Sequence, residues 1–480
     1  MSRKVKNLTE GPLFSKIVLY TLPLVATAIL QLLFNTADII VVGRWGGDTA
    51  EACANSLAAV GYCSNLCALL ITFFFGLSVG SGVCVAHDIG AGHEDEVQKT
   101  VSTAVITALA SGLLVGVCGF VSARPLLVLM GTDAAVLEEA TLYMKAYLCG
   151  IPASMLYNFC AAILRSKGDT VRPLLFLSIA GVANVLLNLV AVILFRWGAL
   201  GVGVATAASQ WISCIATVIY MMRMNDCCRI DPMHLTFHMD KFKRILYNGV
   251  PSGIQSLLFS FSNVLVQTNL NTFGAVVVAG NTAAANLDGY IYAVQNTLHM
   301  ATVTFVAQHD GAQKYGRLKR AILYCSLSVV VVGITLSSVV YLFRYPLLGI
   351  YAPGNPSVVE AGCVRIGIMC ATYFACGLME AGSGALRGMG RSLTAMIISL
   401  LGGIGLRITW LYTVFAWWPK TPDNTFERLR VLYFASPLAW VLTTVMLFLF
   451  TFITLNQKVK AQKLHAQDLA EESPAPAAQN

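Results

Sequence analysis

The sequence predicts an all-α polytopic membrane protein, with about twelve transmembrane helices in two six-helix lobes related by pseudo-two-fold symmetry. Three observations carry that expectation. Of the 480 residues, 56% are hydrophobic and only 12% charged, and the mean hydropathy is +0.69. No soluble domain of this size combines so much apolar content with so little charge. The apolar residues also fall into runs of spanning length, about 20 residues for a bilayer core. Finally, short motifs of the first half recur in order in the second.

The first six apolar segments run over approximately 15–42, 54–85, 97–122, 136–163, 171–196 and 199–223. The second six run over approximately 242–271, 277–308, 318–343, 358–386, 392–418 and 430–455. The organisation expected is an N-terminal lobe over 1–223, a polar cytoplasmic linker over 224–241, a C-terminal lobe over 242–456, and a tail over 457–480. That tail ends in EESPAPAAQN and is polar enough to be expected disordered.

The first span sets the chemistry. Between Leu22 and Gly47 it carries Pro23 near one end and Asp38 past the middle. An Asp in hydrocarbon costs about 2.5–3.5 kcal/mol on insertion scales, so it is expected to face an internal cavity and act there. Proline frees a backbone carbonyl and kinks the helix, which membrane helices tolerate when neighbours or water satisfy that group. A bendable helix with one titratable group suits proton- or cation-coupled transport. The plainer alternative places Asp38 at the outer interface, pairing near Gly43-Arg44.

Basic residues orient the chain. Arg3, Lys4 and Lys6 precede the first span, and Arg165, Lys167 and Arg172 join the fourth to the fifth. Arg223, Arg229, Lys241, Lys243 and Arg244 join the sixth to the seventh; Lys314, Arg317, Lys319 and Arg320 join the eighth to the ninth. Arg387 and Arg391 follow the tenth, and Lys458, Lys460 and Lys463 the twelfth. All fall on one side, the pattern of positive cytoplasmic loops, so both termini are expected inside. The loop holding Lys420, Arg428 and Arg430 is the exception. The net charge of +8 is thereby assigned to topology and not to nucleic acid. The apolar run after the basic N-terminus is too long for a signal peptide and is read as a retained helix.

Most of the fourteen cysteines lie in apolar runs, where they act as small packing residues. No CxxC or Cys/His ligand spacing occurs, and Cys227-Cys228 falls in a loop placed inside, so neither disulfides nor a metal centre is expected. HExxH, Gly-rich phosphate loops and His clusters are also missing from the sequence, and no enzymatic role is expected.

The repeat is specific in its order. Pro23 aligns with Pro251, Asn35 with Asn263 and Gly46 with Gly274 at one offset; then VAHDIGAG at Val85–Gly92 matches VAQHDGAQ at Val306–Gln313, and ILRSKGDT at Ile163–Thr170 matches ALRGMGRS at Ala385–Ser392. Both halves start inside with six spans, so the repeats are parallel, and such folds hold cargo between halves that rock against each other. In LR-x-x-G the Arg is read as closing the inner end of a helix and the Gly as permitting a tight turn. The repeated GA is read as a turn.

Pro23, Asp38 and Gly43, the paired GA turns, and LRSKGD with LRGMGR together resemble the MATE family of multidrug and toxin extrusion transporters, over roughly Phe14 to Asn456. The resemblance implies a V-shaped bacterial inner-membrane antiporter that exports organic cations, drugs or amphiphiles against protons or sodium. It further implies an ion-coupling cluster of Asp38, Asn184, Thr206 and Tyr143, with Pro23 as the bend that responds to protonation. Asn188 stands where several members carry a second aspartate, and Phe259 where some carry a glutamate. The acid left to the second half is Glu380, read either as a further ion-coupling residue or as half of a buried structural pair.

Read from the residues alone, the intramembrane acids are Asp38, Glu380 and Asp288, and a carboxyl desolvated in a cavity can exchange a proton near neutral pH. Asn184 and Asn188 are four apart and share a helix face; interhelical bonding is the competing role for Asn188. Asn35 and Asn263 are expected to line the central cleft as a substrate cavity together with Asp288, Tyr290 and Arg407, with interhelical bonding the competing role for the two asparagines. Tyr157, Phe159, Tyr290 and Tyr292 can cradle flat cations, and Trp197, Trp417 and Trp418 suit outer interface anchors. Arg407 is taken as the only mid-membrane basic residue, able to neutralise Glu380.

No organic cofactor is expected, only H+ or Na+ as coupling ion, with Asp38 as the one position for a sodium ion. The partners expected are small cationic or amphiphilic molecules and the lipid bilayer, with no nucleic acid, and the chain is expected monomeric. The rival function is a flippase of a lipid-linked oligosaccharide or other lipid. Its cavity should be strongly basic, whereas the interior read here offers three acids and Arg407.

Overall fold

The computed structural model describes residues 8–47, 49–419 and 425–472, and among them every regular element is helical. The first half comprises α1 (Leu13–Trp45), α2 (Ala50–Ala91), α3 (Glu94–Leu129), α4 (Leu137–Leu148), α5 (Ile151–Ser166), α6 (Val171–Leu189) and α7 (Gly198–Met222). The second comprises α8 (Met239–Leu270), α9 (Ala275–Gly311), α10 (Tyr315–Leu342), the short α11 (Arg344–Tyr351), α12 (Pro356–Gly388), α13 (Ser392–Ser399), α14 (Leu406–Trp410) and α15 (Thr425–Glu472). A π-turn extends α6 over Val190–Leu194, and two more, Leu400–Gly405 and Leu411–Phe415, join α13 and α14 into one rod.

Among the described residues nine helices are long and apolar enough to cross a membrane, and a tenth span is the pair α4–α5, bent by 42°. The bend falls at Cys149-Gly150, just before Pro152, whose ring cannot continue a straight hydrogen-bond ladder. Helices α8 and α9 have 32 and 37 residues but are too polar for that test, because their Asn, Gln and Ser side chains turn into the interior. Leu113, Leu114, Val117 and Val121 of α3 are all more than half exposed, as a lipid-facing stripe requires.

Two sequence expectations change. The tail is not disordered from residue 457: α15 continues through Glu472, because QKVKAQKLHAQDLAEE is rich in strong helix formers. Residues 473–480 lie outside the described residues, as do Lys420 and Arg3, Lys4 and Lys6. The polar stretch after α7 is also no slack connector. Met224, Cys228 and Ile230 are buried in the core of the first half, and Ile230 N–H returns to the Met221 carbonyl at 3.2 Å.

The repeated motifs occupy matching places. After LR-x-x-G, Gly168 and Gly390 adopt φ of +88° and +76°, the left-handed turn that favours glycine. Asp169 N–H and Arg391 N–H then return to Leu164 and Leu386, both at 2.9 Å. The GA elements end α2 and α9, but their glycines also let those helices cross. A β-carbon at Gly90 would lie 2.0 Å from the Gln308 carbonyl oxygen, and one at Gly311 would lie 2.0 Å from that of His87. Each glycine meets the residue equivalent to its partner's neighbour, so the contact is reciprocal.

Ion pairs flank this crossing, tying α2 and α3 to α8 and α9 to α15. Asp88 accepts from Arg244 at 2.6 Å and lies 3.5 Å from Lys241, which reaches Glu96 at 2.5 Å. Asp310 is held by Lys458 at 2.6 Å. Leu13, Ile17, Tyr20 and Leu24 of α1 pack against Ala301 and Phe305 of α9 and Ala321 and Cys325 of α10. The bundle is thus solid at the end where α1 begins.

Candidate functional site: two adjoining polar cavities

Toward the other end the interior is hollow. A cavity of about 640 Å³ is bounded by α1, α2, α5, α6, α7 and α9, and one of about 710 Å³ by α2, α8, α9, α12, α14 and α15. Ile71, Phe75, Gly289, Tyr292, Asn296 and Met300 line both, so the two adjoin across α2 and α9. The helices that meet through small residues at the end where α1 begins therefore diverge into polar walls farther along.

In the first cavity Asp38 projects from α1 and accepts a hydrogen bond from Asn188 Nδ2 of α6. The same amide donates to Asn184 Oδ1 at 3.3 Å, and Asn184 Nδ2 lies 3.5 Å from Thr206 Oγ1 of α7. The four-residue spacing of Asn184 and Asn188 places both on the face turned to α1, which closes on α6 where Phe34 lies over Gly181. Asn188 Oδ1 is buried with no hydrogen-bond partner among the described residues. Asn35, Tyr157 and Arg165 line the same cavity. Tyr143 is buried beside Tyr147, with ring centroids 6.1 Å apart; its hydroxyl makes no hydrogen bond to the Asp38 cluster among the described residues. Pro23 lies within α1, one residue before the cavity-lining Leu24.

The second cavity differs from the sequence reading. Arg407 does not neutralise Glu380. Its Nη1 donates to Asn263 Oδ1 at 3.1 Å, because α14 faces α8, whereas Glu380 on α12 faces α9 with its carboxylate 3.6 Å from His299 Nδ1. Nor is Arg407 the only mid-membrane cation. Arg365, inside the 358–386 apolar segment, donates through Nε to Asp288 Oδ2 at 2.8 Å and through Nη1 to Asn281 Oδ1 at 2.6 Å. The signal was there, a lone Arg in an apolar run, but only its partner on α9 explains it.

The arginines of LR-x-x-G are not aqueous helix caps either. Arg387 is buried, with Nη2 donating to Gln255 at 2.8 Å and Nη1 3.3 Å from His299 Nε2. Arg165, its counterpart, lines the first cavity. Helices α8 and α9 wrap the last turn of α12, so a helix-end position is not a water-facing one. Of the aromatic candidates, Tyr157 and Tyr292 line cavity walls. Tyr290 lines neither cavity and is 38% exposed, because the inward stripe of α9 passes through Asp288, Gly289 and Tyr292. Phe159 is fully buried in the first-half core. All fourteen cysteines are free, and among the described residues no three His, Cys, Asp or Glu gather as metal ligands.

Known proteins share this fold. A family model, MatE, matches residues 23–190 and again 251–413. "Probable multidrug resistance protein YoeA" of Bacillus subtilis is 25% identical over 81% of this chain and 84% of its own. "Probable multidrug resistance protein NorM" of Thermotoga maritima is 22% identical over 80% and 82%. A solved multidrug resistance MATE family transporter of the MOP superfamily, in an outward-facing conformation, superposes with a TM-score of 0.86 at 20% identity, covering 96% of this chain and 100% of that one. With the family model matched in both halves and the fold in common, this chain belongs to the MatE family.

Proposed function

We propose that the protein is a secondary active antiporter of the bacterial cytoplasmic membrane, exporting organic cations, drugs or related amphiphiles in exchange for protons or sodium ions by alternating access. The observation that carries this reading is the first cavity: one carboxylate, Asp38, on a proline-containing helix, tied through Asn188 and Asn184 to Thr206. In this reading residues 1–223 and 242–456 are two lobes. α8 and α9 supply the remaining two of twelve spans, and both termini are cytoplasmic. The solid inner end and hollow outer half correspond to the state that releases cargo outward.

Coupling follows from one amide. With Nδ2 toward Asp38, Asn188 stabilises the ionised carboxylate. Rotation of the amide would turn its unpartnered Oδ1 to the same place, to accept from a protonated carboxyl or to coordinate sodium. Cargo and ion then compete either for Asp38 directly or for the two conformations of α1. Pro23 is the bend between those conformations, and Tyr143 supports the cluster through packing. Asn35 and Asn263 form the cavity walls, and the protein works as a monomer with no organic cofactor.

Ethidium uptake by everted vesicles tests this, with proton and sodium gradients imposed separately. One gradient drives uptake by the wild type, and Asp38→Asn abolishes it at equal protein level. Dye movement that ignores both gradients contradicts the reading. The flippase alternative gains one observation: Arg165, Arg365, Arg387 and Arg407 all line the cavities, so the interior is far less acidic than three carboxylates alone suggested.

A further inference from the structure

We propose that the second cavity binds an anionic group carried by the cargo, a carboxylate or phosphate on an aromatic amphiphile, held by the guanidinium group of Arg407, with Arg387 adding to the positive charge of the cavity. The proposal rests on the antiporter reading for the word cargo, and on the cavity alone for its chemistry.

The charges around the cavity do not cancel. Its ionisable lining consists of Asp288, Glu380, His299, Arg365, Arg387 and Arg407. Asp288 and Arg365 neutralise each other at 2.8 Å. His299 is neutral by its own hydrogen bonds: Nε2 faces Arg387 Nη1, a group that only donates, so Nε2 accepts and Nδ1–H donates to the Glu380 carbonyl at 2.7 Å. One carboxylate, Glu380, remains against two guanidiniums.

Glu380 does not pair with either of them. It precedes Arg387 by seven residues on α12, about 10 Å along the axis, and among the described residues no carboxylate lies within 4.0 Å of Arg387 or Arg407. Arg407 is 8% exposed and Arg387 6%. Their partners are neutral: Asn263 for Arg407, Gln255 and His299 for Arg387. The Nε of each is buried with no hydrogen-bond partner among the described residues. A guanidinium offers five N–H donors in a planar fork that matches a carboxylate or phosphate, and here donors remain unfilled beside a cavity. Buried cations are ordinarily paired; an anion entering from the cavity supplies the missing partner.

The walls indicate what carries the anion. Tyr292, Tyr373, Tyr433 and Trp440 line the same space, with the Tyr373 and Trp440 rings 5.4 Å apart. A volume of about 710 Å³ lies in the range of small-molecule sites. The first cavity, with Asp38 against Arg165, has no such excess, so the two halves divide the work: ion in one, anionic end of the cargo in the other.

Rhodamine B and its ethyl ester test this, since they share a cationic xanthene and differ by one carboxylate. Fluorescence polarisation on the purified full chain in phosphatidylcholine nanodiscs is expected to show the acid binding about tenfold tighter than the ester, the scale of one charge-assisted hydrogen bond. Arg407→Gln removes that preference, Arg407→Lys keeps part of it, and Glu380→Gln enlarges it. Equal binding of the two dyes by the wild type overturns the proposal, as does a preference that Glu380→Gln reduces. Should Arg407→Gln not fold, Arg407→Lys and Glu380→Gln carry the test. Displacement of the acid dye by added phosphatidylglycerol would assign the site to lipid headgroups and overturn the cargo assignment. Gradient-driven uptake of the ester reports separately on antiport, so failure of one reading leaves the other measurable.

Discussion

Asp38 and Asp288 are both aspartates in long apolar helices, yet their surroundings give them different work. Asp288 has a cation at 2.8 Å and is 2% exposed, whereas Asp38 faces a cavity and is held by the neutral Asn188 amide. Truncating one member of a buried pair leaves an uncompensated charge and costs about 3–5 kcal/mol. Arg365→Ala is therefore expected to lower the melting temperature of the detergent-solubilised protein sharply, and Asp288→Asn in the same chain to restore most of it. An unchanged melting temperature in the single variant would contradict a structural pair. For the Asp38 cluster, Asn188→Ala is expected to weaken ion dependence of ethidium transport several-fold while ester-dye binding in the other cavity stays constant. The sequence made Asp38, Asn184 and Asn188 legible because helical spacing fixes which residues share a face. It passed over Arg365, put Arg387 at a water-facing helix end and offered Arg407 as the partner of Glu380, since the partner of a buried charge lies on another helix and spacing along one helix does not name it.

At the scale of elements, the crossing of α2 and α9 is the most demanding feature. The GA motif reads correctly as a helix end, but its reciprocal close approach needs the second helix in place. Gly311→Leu puts a side chain where a β-carbon alone would lie 2.0 Å from a carbonyl oxygen, so the inner ends must separate. Faster amide hydrogen exchange is expected in the segment Ala301–Gly311, now almost wholly buried, together with loss of ethidium export. Exchange unchanged from wild type would show that this crossing does not seal the inner end. Arg244→Gln is expected to act in the same direction and more weakly, because Asp88 keeps Lys241 at 3.5 Å. The long helix α15 shows the opposite limit of sequence reading: a polar, Pro/Ala-rich terminus looked unstructured, while local helix propensity carries the helix through Glu472.

For the whole molecule, the fold was legible because lipid imposes it. Long apolar runs have only one economical backbone in hydrocarbon, the helix, and the repeated motifs announced two equivalent halves that the MatE model also matches separately. The division of charge between the cavities was not legible, since it arises where side chains of different helices within each half meet. Antiport by rocking halves predicts reciprocity: if an ion gradient drives cargo, a cargo gradient must drive the ion. The most direct measurement loads proteoliposomes of the purified chain with ethidium, dilutes them into dye-free buffer, and follows internal pH and sodium as the dye leaves. The account predicts that one of the two ions moves inward against its own gradient, and that Asp38→Asn releases dye without ion movement or releases none. Uphill ion movement that survives Asp38→Asn, or wild-type dye release with neither ion moving, would contradict it.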